Sequence, residues 1–214
     1  MSLQRAWENL IGWAKWGDPF KPRRDLARLL VFTRAFLNDA GVVWWLEWGT
    51  LLGSIRHQSL IPWDYDLDVG LDWADLERVR ELAATAEFPE GISFFWEEDE
   101  TYGCFCLGDY WIDLVGYRHR PEGKVWEPVL AFRYRDPVGN PSWYYPDCPA
   151  EKLFPLATGV VDGLDYPIPH KSEALLRDWY GRYERLDPVP VLFSLLYHPI
   201  EAGRFLLDYK WRRA

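Results

Sequence analysis

Two carboxylates stand two residues apart in the segment IPWDYDLDVG, where Asp66 and Asp68 alternate with Tyr65, Leu67 and Val69. On a β-strand this alternation sends the acids to one face and the apolar side chains to the other, with the two acid Cα atoms roughly 6.5–7 Å apart. Oxygens placed in this way can converge on one or two divalent cations, Mg2+ or Mn2+, which take hard oxygen ligands. The chemistry this serves is displacement at phosphorus, where cations offset the charge of a diphosphate or triphosphate and stabilise the attacking and leaving oxygens. An isolated Asp-x-Asp is more often a solvated strand or turn, so its context carries the reading.

Upstream lies Leu52-Gly53-Ser54, with eleven residues between Ser54 and Asp66. A small-residue turn beside a helix start exposes backbone N–H groups, and the Ser54 hydroxyl adds a donor, which suits Gly53 and Ser54 to phosphate oxygens. A small-residue turn followed at that distance by a strand-borne acid pair is the signature of the nucleotidyltransferase superfamily. A third acid, Asp113, stands in the apolar run YWIDLVGY, where an unpaired charge would be costly to bury. It reads as a metal ligand, or as general base toward an acceptor hydroxyl, against the plainer alternative of an exposed strand position.

These groups need a scaffold, and the apolar periodicity supplies one. Leu26, Leu29, Leu30, Thr33 and Leu37 recur at helical spacing and predict a helix over Arg24 to Asn38, stopped at Gly41. Val42 to Glu47 reads as a strand, Thr50 to Arg56 as a short helix and Tyr65 to Val69 as the acid-bearing strand. Asp72, with Asp75 three residues on, predicts the N-cap of a helix running through Leu76, Val79, Leu82 and Ala83 to Ala86, ended by Pro89. Strands follow at Ile92 to Trp96, Tyr102 to Leu107, Tyr110 to Tyr117 and Val125 to Tyr134. Asp136 to Pro149 reads as a surface loop, and Ser172 as the cap of a helix to Tyr180 with Gly181 at its C′ position. Together these give an α+β fold: a nucleotidyltransferase-like mixed β-sheet flanked by helices. One catalytic domain is expected over 1–186, followed by a C-terminal helical tail, 187–214. The apolar tail with its basic end reads first as a helix packed on the domain, and second as a peripheral membrane contact.

The net charge of −9 argues against broad binding to nucleic acid, which needs a basic surface to displace counterions. A polyanionic ligand would therefore need metal ions or local basic groups. Cys104, Cys106 and Cys148 lack zinc-finger spacing and form no closed set of pairs, so they read as buried thiols in a reducing cytosol. No secretory leader or membrane span is expected: the apolar run from Leu26 to Leu37 carries Arg28 and Arg34. Trp13, Trp44, Trp45, Trp73 and Trp179 fall in amphipathic segments, where core packing is the expected role.

The run WGTLLGSIRHQSLIPWDYDLDVGL, Trp48 to Leu71, resembles the central motif of the LicD and fukutin-related family. The resemblance continues through WIDLVGY, LFPLATGVVDGLDYPIP and LLRDWYG, over about residues 41 to 181. Many bacterial members carry Asp where this chain has Tyr65, so its WDYDLD is closer to the animal fukutin-related members. The resemblance implies that Asp66 and Asp68 ligate Mg2+ with Asp113 as third carboxylate, that Gly53 and Ser54 meet donor phosphate, and that Arg56 meets a phosphate or the substrate. Arg56 reads equally as a partner for Asp64, and His57 as a structural hydrogen-bonder. Asp64 reads as a supporting residue that orients the loop rather than touching metal. Lys171, just after Pro169, reads as a phosphate contact or as an ordinary residue before a helix, and Tyr180 with Gly181 as a helix end.

The implied activity is transfer of a phospho-substituent, an alditol phosphate or phosphocholine, from a CDP-activated donor to a hydroxyl of a glycan or lipid-linked glycan, on the cytoplasmic side. A nucleotidyltransferase moving NMP from an NTP to a small-molecule or protein hydroxyl would use the same acids, and a binding protein on a decayed scaffold would not need them intact. The animal members' additional domain and membrane anchor have no counterpart in this sequence, so the resemblance is to a catalytic core.

Overall fold

The computed structural model describes residues 21–61, 64, 66–97, 102–119, 125–128 and 148–184. The expected tail, the boundary at 186 and Trp13 lie outside them. Among the described residues no helix is long and apolar enough to cross a membrane. In chain order the elements are α1 (Lys21–Asp39), β1 (Trp44–Leu46), α2 (Trp48–His57), β2 (Asp66–Asp72), α3 (Trp73–Ala83), β3 (Ile92–Glu97), β4 (Tyr102–Leu107), β5 (Tyr110–His119), β6 (Val125–Pro128), β7 (Cys148–Pro149), α4 (Ala150–Leu153), β8 (Ala157–Val161), β9 (Leu164–Ile168) and α5 (Ser172–Tyr180). The architecture is the expected α+β one, a mixed sheet flanked by helices.

The sheet runs β1-β2-β5-β4-β3, with β6 on the far half of β5 and β7 on β6, while β8 and β9 form a separate hairpin. Its decisive pairing is the parallel one between β2 and β5, which sets Asp66 against Trp111 and Asp68 against Asp113; the other pairs in the sheet are antiparallel. Alternation then divides the residues between two cores. Leu67, Val69 and Leu71 of β2 join Ile112 and Leu114 of β5, with Leu26, Leu29, Leu30 and Leu37 of α1 and Leu76 and Val79 of α3. Phe32 and Phe36 close this layer edge-on against Phe105 of β4, at ring separations of 5.2 and 5.1 Å. On the opposite face Trp45, Val115 and Tyr117 pack with Cys148, Leu153 and Leu175, beneath α4 and α5.

Several boundaries differ from the sequence expectation, each for a local reason. β1 starts at Trp44 rather than Val42, because the exposed Val43 gives its N–H to the Asp75 carboxylate (3.2 Å) instead of a strand. Asp72 does cap α3, accepting from Ala74 N at 2.8 Å, but Asp75 is turned to Val43 and no reciprocal capping box forms. α3 stops at Ala83 rather than Ala86, its last turn tightened by the bond from Thr85 N to Leu82 O. Ser172 is the first helical residue of α5 and not its cap: its hydroxyl donates back to Pro169 O at 2.6 Å, and Lys171 takes the cap position without a side-chain bond. Gly181 ends α5 at positive φ, as expected. Of the expected loop 136–149, Cys148 and Pro149 form a short strand on β6; the rest of it, and the last part of the expected strand to Tyr134, fall outside the described residues.

Trp44 and Trp45 are 2% and 1% exposed, and Trp73 and Trp179 pack against the cores, as their amphipathic settings implied. The Trp45 indole lies flat over Gly70, where a methyl group would come within 2.4 Å of the ring. Gly70→Ala must therefore displace the centre of the second core. We expect it to cost about 1–3 kcal/mol in chemical denaturation, and a wild-type unfolding midpoint would contradict that packing.

Candidate functional site

The register of four strands brings a row of side chains onto one face of the sheet. Glu47, just past β1, donates its N–H to Asp68 O at 3.1 Å. Asp68 stands beside Asp113, and Asp113 stands opposite Cys104 of β4. Adjacent strands are about 4.8 Å apart, so the side chains in this row are immediate neighbours. Asp66, one in-face step from Asp68, lies against Trp111. Asp66, Asp68 and Asp113 are each half-buried, and this half of the face is open enough for Phe95, opposite Cys104 on β3, to be 48% exposed.

The start of α2 meets the same acids. The Thr50 hydroxyl oxygen accepts from Asp68 N at 2.8 Å, tying the first turn of the helix to the acid strand. Gly49 leaves room for Asp64: a Cβ at Gly49 would lie 2.7 Å from Asp64 Oδ2. The Asp64 carboxylate thus rests against the start of α2, the positive end of the helix dipole. Trp48 enters the helix at φ 43° and stacks on Trp179 of α5, with ring centroids 4.6 Å apart.

Gly53 and Ser54 lie further along α2, and their described contacts are packing contacts. A side chain at Gly53 would strike Ser59 O at 2.5 Å, and the Ser54 hydroxyl donates to Val160 O of β8 at 3.1 Å. Arg56 and His57 occupy the last turn, about 9 Å along the axis from Thr50 by helical rise. There the Arg56 guanidinium donates to His57 Nδ1 (3.2 Å) and to Tyr183 O (3.4 Å). Lys171, exposed at the start of α5, lines a separate concavity of about 430 Å3 with Ile55, His170, Ser172, Glu173 and Arg177. The structure therefore joins Asp64, Asp66, Asp68 and Asp113, and places the Gly53-Ser54 and Arg56-His57 pairs along the helix that leads away from them.

Sequence reasoning missed three residues of this cluster. Gly49-Thr50 is also a small-residue pair, and its position between a strand and a helix distinguishes it from Gly53-Ser54. Glu47 carried the same signal that singled out Asp113, a lone acid in an apolar run, VVWWLEW.

Asp68 shows what this crowding does. Burial first, then the charges of Asp66, Asp113, Asp64 and Glu47, hold its carboxyl well above the ordinary carboxylate range. Glu47, 1% exposed, is pushed up to about 8 by burial, which outweighs the hydrogen bonds from Tyr117 and Trp45. Among the described residues no three His, Cys, Asp or Glu side chains form a ready-made metal cage. The oxygens of Asp66, Asp68 and Asp113 are hard donors of the kind a divalent cation takes.

The raised acids have a measurable consequence. Below about 4.5 Glu47 is protonated in both folded and unfolded chains; between there and about 8 only the folded chain keeps the proton, so stability falls as pH rises through that window. Asp68 acts in the same direction. Urea denaturation in chelator should show this decline, with a shallower slope in Glu47→Gln; equal slopes would mean that Glu47 is ionised in its buried position.

Comparison with known proteins shows the family. The family described as LicD/FKTN/FKRP, nucleotidyltransferase domain, matches residues 41–171. Ribitol 5-phosphate transferase FKRP from Mus musculus and from Homo sapiens are each 38% identical over 88 residues, covering 39% of this chain and 17% of each of those proteins. An uncharacterized protein of Rickettsia prowazekii (strain Madrid E), RP689, is 43% identical over 149 residues, or 59% of this chain and 56% of that one. The chain thus matches only part of the length of these relatives. Among solved structures, the lincomycin-bound lincosamide antibiotic adenylyltransferase LnuA aligns at TM-score 0.46 and 13% identity over 76% of this chain and 90% of its own. ANT(2")-Ia in complex with adenylyl-2"-tobramycin aligns at TM-score 0.44 and 14% identity over 88% and 99%. With more than half of its length matched, the chain belongs to the LicD/FKTN/FKRP family through its nucleotidyltransferase domain.

Proposed function

We propose that the protein transfers a phospho-substituent, an alditol phosphate or phosphocholine, from a CDP-activated donor to a hydroxyl of a glycan or lipid-linked glycan, releasing CMP. The observation that carries this reading is the in-register pair Asp68 and Asp113 with Asp66 on a half-open sheet face, beside the start of α2. Family membership narrows the chemistry, and the relatives named ribitol 5-phosphate transferase favour an alditol phosphate. Asp66, Asp68 and Asp113 would hold Mg2+ or Mn2+, which when bound supplies positive charge for the donor phosphates.

The chain's own groups account for the remaining work. Amides at the start of α2 point their partial positive charge toward phosphate oxygens. Asp113, beside Asp68 in the row, would take the proton of the acceptor hydroxyl as that oxygen bonds to the phosphorus bearing the transferred group. The bond from that phosphorus to the CMP oxygen breaks, and CMP leaves. Asp64 and Thr50 fix the helix start relative to β2. We place the reaction on the cytoplasmic side, where activated nucleotide donors are made.

The test is a titration of CDP-ribitol, CDP-glycerol and CDP-choline with and without Mg2+, followed by product analysis. Asp68→Asn should remain folded, since Asn matches the neutral carboxyl in size, yet lose turnover by about 100-fold or more, the scale on which one charge-stabilising group acts. CMP release from a CDP-linked donor supports the proposal. Pyrophosphate release from an NTP would assign the site to NMP transfer instead, and CDP binding indifferent to chelator would remove the metal assignment.

A further inference from the structure

We propose that Cys104 and Cys106 form an oxidisable dithiol, a modification site for hydroperoxides, whose state controls the strand that seats Asp113. The two residues sit at i and i+2 of β4, and their sulfurs are 3.5 Å apart. By register they face the same side as the acids, Cys104 opposite Asp113 and Cys106 opposite Trp111. Cys106 is half-buried and Cys104 is 4% exposed, which gives one sulfur that a small oxidant can reach and one protected neighbour. Cys148 provides the contrast within the same chain: it is 3% exposed in the second core, and burial pushes its thiol up to about 12. The bond with Cys104 instead brings the Cys106 thiol down to about 7, so a large fraction of it is thiolate, the reactive form.

The chemistry balances with a hydroperoxide as oxidant. The Cys106 thiolate attacks the terminal peroxide oxygen; the S–O bond forms as the O–O bond breaks, and the departing hydroxide, or alkoxide from an organic hydroperoxide, takes a proton to become water or an alcohol, leaving a sulfenic acid. The Cys104 sulfur then displaces water from that sulfur, giving one disulfide for one peroxide reduced. A disulfide requires sulfurs about 2.05 Å apart and Cα atoms within about 6.8 Å, whereas i and i+2 residues on an extended strand are roughly 6.5–7 Å apart. Closing the bond therefore contracts β4 against the ladder that holds β5, and a bond formed under such tension is easily reduced.

This proposal rests on the reading of Asp66, Asp68 and Asp113 as the reaction centre, and two readouts separate the two claims. The full chain is treated with hydrogen peroxide, alkylated and analysed by mass. We expect a product two hydrogens lighter, with Cys104 and Cys106 both protected from alkylation and Cys148 still free to react once the chain is unfolded. Amide exchange should rise across 103–107 and 110–115, Mn2+ affinity should fall by about tenfold or more, the scale on which a disturbed ligand surround acts, and dithiothreitol should reverse all of these. Cys148→Ser should respond like wild type, and Cys106→Ser should show no change in exchange. Preferential oxidation of Cys148, linkage between chains, or a Cys104–Cys106 disulfide that leaves exchange at 110–115 unchanged would overturn the dithiol. If the reduced chain binds no Mn2+, the reading of the acids fails, while mass and exchange still decide the dithiol.

Discussion

Carboxylates of like charge repel most strongly where water is scarce, and around Asp68 four other acids add to its burial in opposing ionisation. Holding them together demands an opposing anchor, and the anchor lies one residue away along the same strand. Leu67, Val69 and Leu71 are at most 1% exposed on the reverse face, each contributing roughly 1.5–3 kcal/mol of burial. The acids cannot relax apart without pulling these side chains from the core beneath α1 and α3. Strand alternation thus divides one short segment between what stabilises the fold and what strains it, and the parallel β2–β5 pairing extends the division to Asp113 with Ile112 and Leu114.

α2 transmits this arrangement across the molecule. Its first turn is bonded to Asp68 N through Thr50, its middle to β8 through Ser54, and its last turn to Tyr183 through Arg56. Trp48 adds a stack on Trp179 at the end nearest the acids. Only the first turn touches the acid strand in the described contacts; the rest of the helix determines where that turn can be.

The parts of this design set by local physics were legible in the sequence. Alternation through Asp66 and Asp68 gave the acid face, the lone acid in YWIDLVGY gave its neighbour, and Asp72 was correctly read as a cap because Asx capping needs only residues in the same turn. The parts set by distant partners were not. Gly49-Thr50 and Gly53-Ser54 match as residue pairs, and although the first stands between a strand and a helix, only the fold decides which turn of α2 meets β2 and which meets β8. The same holds for Ser172, whose hydroxyl prefers the Pro169 carbonyl to a cap, and for Cys148-Pro149, which becomes a strand only because β6 offers an edge. Glu47 lay in view, but a single acid beside tryptophans looks like a strand end until Tyr117, seventy residues later, is found donating to it.

The hydroxyl of Ser54 and the guanidinium of Arg56 each reach a backbone carbonyl more than 100 residues further along the chain. β2, β5 and the whole acid row precede those carbonyls along the chain. A chain grown only as far as β5 can therefore pair its acid strands and seat the first turn of α2 on Asp68 while the middle and last turns of that helix still lack their partners. The docking of β8 and of the turn after α5 is then the step that fixes the middle and the end of α2 over the acid row.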